Sequence, residues 1–156
     1  MTPAAVVCNS SPLIALDQIG QLDLLERLFG SVLVPPAAVR EIGPTLVLPT
    51  WVTERSLTQP LSPQMLRASL GPGESEAIAL ALEISAVWII LDDRAARRLA
   101  QALGLTVIGT LGVLLAAKRR GYLATVQPWM DSLGQHGFRI GADLYQRVLA
   151  DAGESP

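Results

Sequence analysis

Cysteine is nearly absent from this chain: Cys8 is the only one in 156 residues. It has no partner for an intrachain disulfide or a thiolate metal cluster. The sequence therefore excludes a disulfide-stapled secreted scaffold and points to a reducing, cytoplasmic setting. Histidine is equally scarce: His136 stands alone, with no acidic or nucleophilic residue patterned around it, and reads as a surface residue rather than a general base. Charge is low, at 17% of residues, and the net charge of −2 leaves no global basic footprint for nucleic acid, so any polyanion has to be bound locally. Long hydrophobic runs are missing too. Glu83, Asp92 and Gly112 interrupt the apolar stretches before they reach the roughly 18 to 20 residues of a membrane span. No Lys or Arg precedes the apolar start at Val6 and Val7, so a secretory leader is not expected either.

Apolar residues, by contrast, make up half of the chain, ample for one sizeable core. A single domain over residues 1–156 is expected. The combination of high apolar content and low charge predicts that some apolar surface is covered in a homo-oligomer, a dimer or higher.

Short β-branched runs alternate with longer helical patterns, the signature of an α/β domain built on a mostly parallel sheet. Val6 to Cys8 reads as a first strand. Ser11 offers a helix N-cap with Pro12 at the first helical position, and Gln21 to Phe29 is a helix stopped by Gly30. Ser31 to Val34 reads as a short strand, which Pro35-Pro36 separates from a brief helix running to about Ile42. Gly43 to Pro72 is irregular, with a strand expected at Trp51–Ser56, a short helix at Pro63–Ser69, and Trp51, Val52, Leu57, Leu61 and Leu66 feeding the core. Helices at Pro72–Ser85, Asp93–Leu103 and Leu111–Arg120 then alternate with strands at Val87–Leu91 and Thr106–Ile108. Two further helices, Val126–His136 and Ala142–Ala150, follow this core.

The chemistry-bearing residues stand at the junctions. Asn9 follows the first strand, Glu41 ends the helix after the second, Glu74 and Glu76 open the next long helix, and Asp92 and Asp93 follow the strand containing Trp88. A parallel sheet brings the carboxyl ends of its strands to one edge, so these positions converge on one cleft. Gathered carboxylates raise one another's pKa unless a cation intervenes, and Mg²⁺ or Mn²⁺ with oxygen ligands does so. A plainer role competes with this one. Acids in a helix's first turn stabilise its dipole, and Asp is a favoured N-cap. Arg94, Arg97 and Arg98, and the cluster Lys118-Arg119-Arg120, are likewise either a landing place for RNA phosphates or ordinary helix cations.

Asn9-Ser10-Ser11-Pro12-Leu13-Ile14, Gly73-Glu74-Ser75-Glu76-Ala77-Ile78, Leu91-Asp92-Asp93-Arg94-Ala95 and Gly109-Thr110-Leu111-Gly112-Val113, in that order over residues 5–125, resemble the PIN domain. The resemblance is to a branch of prokaryotic proteins related to VapC-type toxins. It implies a three-layer α/β/α sandwich and, for active members, Mg²⁺- or Mn²⁺-dependent cleavage of RNA, single-stranded or structured. It also implies an antitoxin protein as partner.

Carried over residue by residue, the family's acidic positions fall on Asn9, Glu41, Glu76 and Asp93, as catalytic residues and metal ligands. Ser11, Glu74 and Asp92 stand as supporting residues. The register leaves Glu74 as the alternative to Glu76 and Asp92 as the alternative to Asp93. PIN nucleases usually place Asp at the first position, and Asn9 removes that charge. The alternative function is therefore a catalytically weakened module that binds RNA or a protein partner. A phospho-receiver domain also carries acids at strand ends, but it requires an acidic pair where this chain has Asn9-Ser10.

Overall fold

The computed structural model describes residues 4–62, 65, 66 and 68–155. Five strands form one wholly parallel sheet: β1 (Val6–Cys8), β2 (Val32–Val34), β3 (Val52–Glu54), β4 (Trp88–Ile90) and β5 (Val107–Ile108), in the spatial order β3-β2-β1-β4-β5. The helices are α1 (Ser10–Gln18), α2 (Asp23–Phe29), α3 (Pro36–Ile42), α4 (Pro72–Glu83), α5 (Arg94–Ala102), α6 (Thr110–Arg119), α7 (Gln127–Gln135) and α8 (Ala142–Asp151). The order reverses at β1, whose neighbours are β2 and β4. The carboxyl ends of β1 and β4 thus flank the crevice where open α/β sheets place their sites.

Alternation along each strand builds the layers. Val6 and Cys8 of β1, Val32 and Val34 of β2 and Ile90 of β4 point into one core, shared with α1, α2, α6, α7 and α8. Val7, Leu33 and Ile89 point the other way, into a second core with α4 and α5. The sheet is therefore covered on both faces, giving the expected α/β/α sandwich. Ile78 and Leu80 of α4 are fully buried in the second core, each adding about 2 kcal/mol by removal from water. That burial fixes the helix whose first turn carries Gly73, Glu74 and Glu76.

Some local expectations are corrected. α1 starts two residues early, at Ser10 rather than Pro12, because Asn9 rather than Ser11 takes the N-cap position. Leu66 is 67% exposed and contributes nothing to the core, whereas Val52 is buried and Trp51, Leu57 and Leu61 pack partly against it. The short helix expected over 63–69 falls on a stretch of which 63, 64 and 67 lie outside the described residues. Among the described residues, no helix is long and apolar enough to cross a membrane.

Candidate active site

Asn9 leaves the end of β1 in extended conformation (φ −83°, ψ 171°), with its N–H donating to the Ile90 carbonyl of β4 at 3.1 Å. It is the N-cap residue of α1. Asn is favoured there because its side-chain oxygen ordinarily accepts an N–H of the first helical turn. Here no such bond forms, and Oδ1 has no hydrogen-bond partner although the residue is only 2% exposed. An unmet acceptor at that depth costs about 1–3 kcal/mol. The orientation is therefore one a plain helix cap does not account for.

Glu41 supplies the second oxygen group. It projects from the last turn of α3, and Ser10 Oγ donates to its Oε1 at 3.2 Å. Gly73, buried in the first turn of α4, is the third wall. A β-carbon placed on Gly73 would stand 2.7 Å from Asn9 Oδ1 and 2.8 Å from Glu41 Cδ, and would collide with Glu41 Oε1. The amide oxygen and the carboxylate thus flank one small volume that exists because residue 73 has no side chain.

Glu76 lies one helical turn further along α4 and turns elsewhere. Its Oε1 accepts the N–H of Ala37 at 2.9 Å, and its Oε2 stands 3.9 Å from Arg40 Nη2. Glu76 therefore caps the start of α3, whose far end carries Glu41. Glu74, partly buried, occupies the preceding turn of α4, beside Gly71.

The two acids after β4 also meet helix starts. Asp93 is the N-cap of α5, its Oδ2 accepting the Ala96 N–H at 2.9 Å. Asp92 spans to α6: Oδ1 accepts the Thr110 N–H at 2.8 Å, and Oδ2 accepts the Thr110 hydroxyl at 2.6 Å. Burial raises the Asp92 carboxyl above the ordinary Asp value, partly offset by both Thr110 bonds and by the nearby Arg97 guanidinium. Cys8, fully buried at the end of β1, has its thiol pushed well up by burial first and by the charge of Asp92 second. It is an inert core group.

Of the four positions carried over from the resemblance, the structure thus brings together Asn9 and Glu41. It directs one oxygen of Glu76 and one of Asp93 to helix N-termini. Ser11 is exposed, and the hydroxyl that touches the site belongs to Ser10. Among the described residues, no three Asp, Glu, His or Cys side chains gather to hold a metal ion by themselves. The oxygens present still suit a hard cation. An unpartnered buried amide oxygen, a carboxylate and a hydroxyl meet the preference of Mg²⁺ or Mn²⁺ for one or two carboxylates, further oxygens and retained waters.

Two contributors escaped the sequence reading. Gly73 was legible only as part of a motif, since nothing local says that its missing side chain makes room. Ser10 was passed over for Ser11, a choice that turned on where α1 begins.

The reversed sheet order, the two covered faces and the oxygen groups at the β1–β4 edge define a PIN-type fold. A family model described as a PIN domain, DUF3368, matches residues 5–154, and the chain belongs to that family. The match runs past the quoted motifs and takes in α7 and α8. PIN domains are generally nucleases and typically use divalent metal ions. The solved structure of a PilT N-terminus domain protein from the hyperthermophilic archaeon Sulfolobus solfataricus P2 has the same fold. It is 20% identical, with a TM-score of 0.55 over 72% of this chain and 92% of its own. No curated protein matches the sequence.

Proposed function

We propose that the chain is a Mg²⁺- or Mn²⁺-dependent endoribonuclease whose site lies between Asn9, Glu41 and Gly73. One observation carries the reading: the buried, unpartnered Oδ1 of Asn9 faces the Glu41 carboxylate across a gap kept open by Gly73. A divalent ion held by Asn9 Oδ1 and Glu41 would supply a Lewis acid beside the scissile phosphate and lower the pKa of water bound to it. Ser10 fixes one Glu41 oxygen and leaves the other to orient a water or accept its proton. Glu76 sets the position of Glu41 through α3. Asp93 and Asp92 hold the starts of α5 and α6 at the same sheet edge, and Asp93 keeps its Oδ1 for the ion, whereas Glu76 Oε2 stands toward Arg40. Buried Cys8 suits a cytoplasmic setting. Exposed Leu82 and Val87 are apolar groups that a second copy or an antitoxin would cover.

A specific observation also supports the rival reading, a weakened module that binds RNA or a protein. Asn9 brings no charge, and Glu76, Asp92 and Asp93 each spend at least one oxygen on a backbone N–H. One experiment separates the two. The pure protein is incubated with mixed single-stranded RNA in Mn²⁺, Mg²⁺ or EDTA, beside Glu41→Gln. The nuclease reading requires cleavage with either ion, none in EDTA and none by the variant. RNA that stays intact under every condition, yet is cut by Asn9→Asp, would favour the weakened module.

A further inference from the structure

On the β5 side of the sheet, a cleft of about 560 Å³ opens between α5, the turn from β5 into α6, and α8. Arg94 and Arg97 reach it from α5, Arg139 from the segment before α8, and Arg147 from α8 itself, over a floor that includes Leu111 and Phe138. Arg98, beside Arg97 in sequence, does not line it. Asp92 and Asp151 also border the cleft, so guanidinium groups outnumber carboxylates there in a chain whose net charge is −2. Asp92, both of whose oxygens accept from Thr110, balances Arg97, whose Nη1 also donates to the Leu91 carbonyl at 3.4 Å, so the unbalanced charge lies with Arg94, Arg139 and Arg147. None of the four arginines forms an ion pair among the described residues, where the pairs are Arg40 with Glu76 and Lys118 with Glu154.

Arginine remains charged at any physiological pH, so the cleft holds a standing positive potential that an anion would relieve. The planar guanidinium fork matches the spacing of phosphate oxygens, and an apolar, partly aromatic floor suits the face of a base. An acidic polypeptide would satisfy the charge but gains nothing from the floor's flat faces. Position adds a second argument. The cleft borders Asp92 at the end of β4, and β4 is paired with β1, which ends in Asn9, so a strand lying in the cleft leads toward the gap at Gly73.

We propose that this cleft holds the phosphodiester backbone of single-stranded RNA on its way to the Asn9–Glu41 site. The assignment rests on the nuclease reading for the fate of the strand, though not for its binding. Arg139 and Arg147 lie beyond the motifs over residues 5–125, so this anchor is built by the last helices.

The test is fluorescence anisotropy with a labelled single-stranded RNA 12-mer in EDTA, using the full chain. It compares wild type, the double variant Arg139→Glu/Arg147→Glu, its milder form Arg139→Gln/Arg147→Gln, and Arg98→Glu. The charge reversals sit on exposed side chains, and the Gln pair serves if they disturb folding. The double reversal should weaken binding about tenfold or more at moderate salt and flatten the plot of log K against log salt by about 1.4, at roughly 0.7 per phosphate contact on a single strand. The Gln pair should show a smaller loss of the same sign, and Arg98→Glu should change little.

Unchanged affinity and slope in both double variants would overturn the proposal. So would displacement of the RNA by poly-glutamate as readily as by unlabelled RNA, which would assign the cleft to an acidic polypeptide. Saturation by 5′-AMP alone would overturn it in favour of a free nucleotide. Failure of the nuclease reading shows separately, as RNA bound normally in EDTA but left uncut in Mn²⁺.

Discussion

The N–H of Ala37 donates to Glu76 Oε1 at 2.9 Å, so a carboxylate on α4 holds the first turn of α3. α3 ends next to Glu41, whose carboxylate faces Asn9 across Gly73. Two acids that look equivalent in sequence are therefore linked in series: one steadies the helix that presents the other.

Glu76→Ala leaves the Ala37 amide without its partner and should lower stability by about 1–2 kcal/mol. Glu76→Gln keeps an acceptor and should lose clearly less. Thermal unfolding in EDTA measures both. Equal losses in the two variants would mean that the hydrogen bond contributes nothing to holding α3.

Gly73→Ala introduces a methyl group into contact with the Glu41 carboxylate and 2.7 Å from Asn9 Oδ1. The carboxylate end is flexible and will move, so the fold should survive while the site does not. RNA cleavage is expected to fall about a hundredfold, the order of effect that a displacement of about 1 Å produces at a reacting centre. Single-turnover cleavage in Mn²⁺ alongside a melting curve separates site from fold.

Asn9→Asp restores a carboxylate at a buried position facing Glu41. Without metal the variant should be less stable by about 2 kcal/mol, because two acids share a small volume and one acceptor stays unmet. Mn²⁺ should return more stability to it than to wild type, since a ligand that binds the folded state stabilises in proportion to its affinity. Melting temperatures with Mn²⁺ and with EDTA give the comparison. A Mn²⁺ shift no larger than that of wild type would place the ion elsewhere.

Glu154 anchors the end of α8 to the rest of the domain. Lys118 Nζ donates to its Oε2 at 2.9 Å, and the N–H groups of Val126 and Gln127 donate at 2.8 Å and 3.2 Å. Burial alone would raise its carboxyl, but the Lys118 contact and these N–H bonds outweigh it and lower the pKa. A depressed folded-state pKa contributes stability above the unfolded value, near about 4.3, that is lost as pH falls through the folded one. Glu154→Gln should thus be less stable than wild type at pH 7, with the gap closing below about pH 4. Urea titrations at several pH values measure it.

How much of this was legible in the sequence follows from the range of each interaction. Val6, Val7 and Cys8 announce a strand buried on both faces, and Gly30, with φ of +80°, marks the end of α2. The rule that parallel strands align their carboxyl ends accounts for Asn9, whereas Glu41, in the last turn of α3, reaches it through the packing of α3 on α4. The bonds of Glu76 to Ala37 and of Asp92 to Thr110 join distant residues, and no local pattern encodes them. Arg94, Arg97 and Arg98 look alike in sequence, yet only the fold decides that Arg97 lines the cleft facing α8 and Arg98 does not. Lys118, read beside Arg119 and Arg120 as either RNA contact or helix cation, proves to be tied to Glu154 and the Ala152 carbonyl.

The pairing of β1 with β4 carries a consequence for synthesis. Asn9 emerges from the ribosome early, but its backbone partner Ile90 and the covering helices α4 and α5 emerge only after more than half the chain has been made. Contacts so distant in sequence form late, because the intervening chain must close before they are gained. A nascent fragment ending before β4 has β1 to β3 and Glu41 but lacks the strand whose Ile90 carbonyl accepts the Asn9 N–H. The gap between Asn9, Glu41 and Gly73 is therefore unassembled until well into the second half of translation.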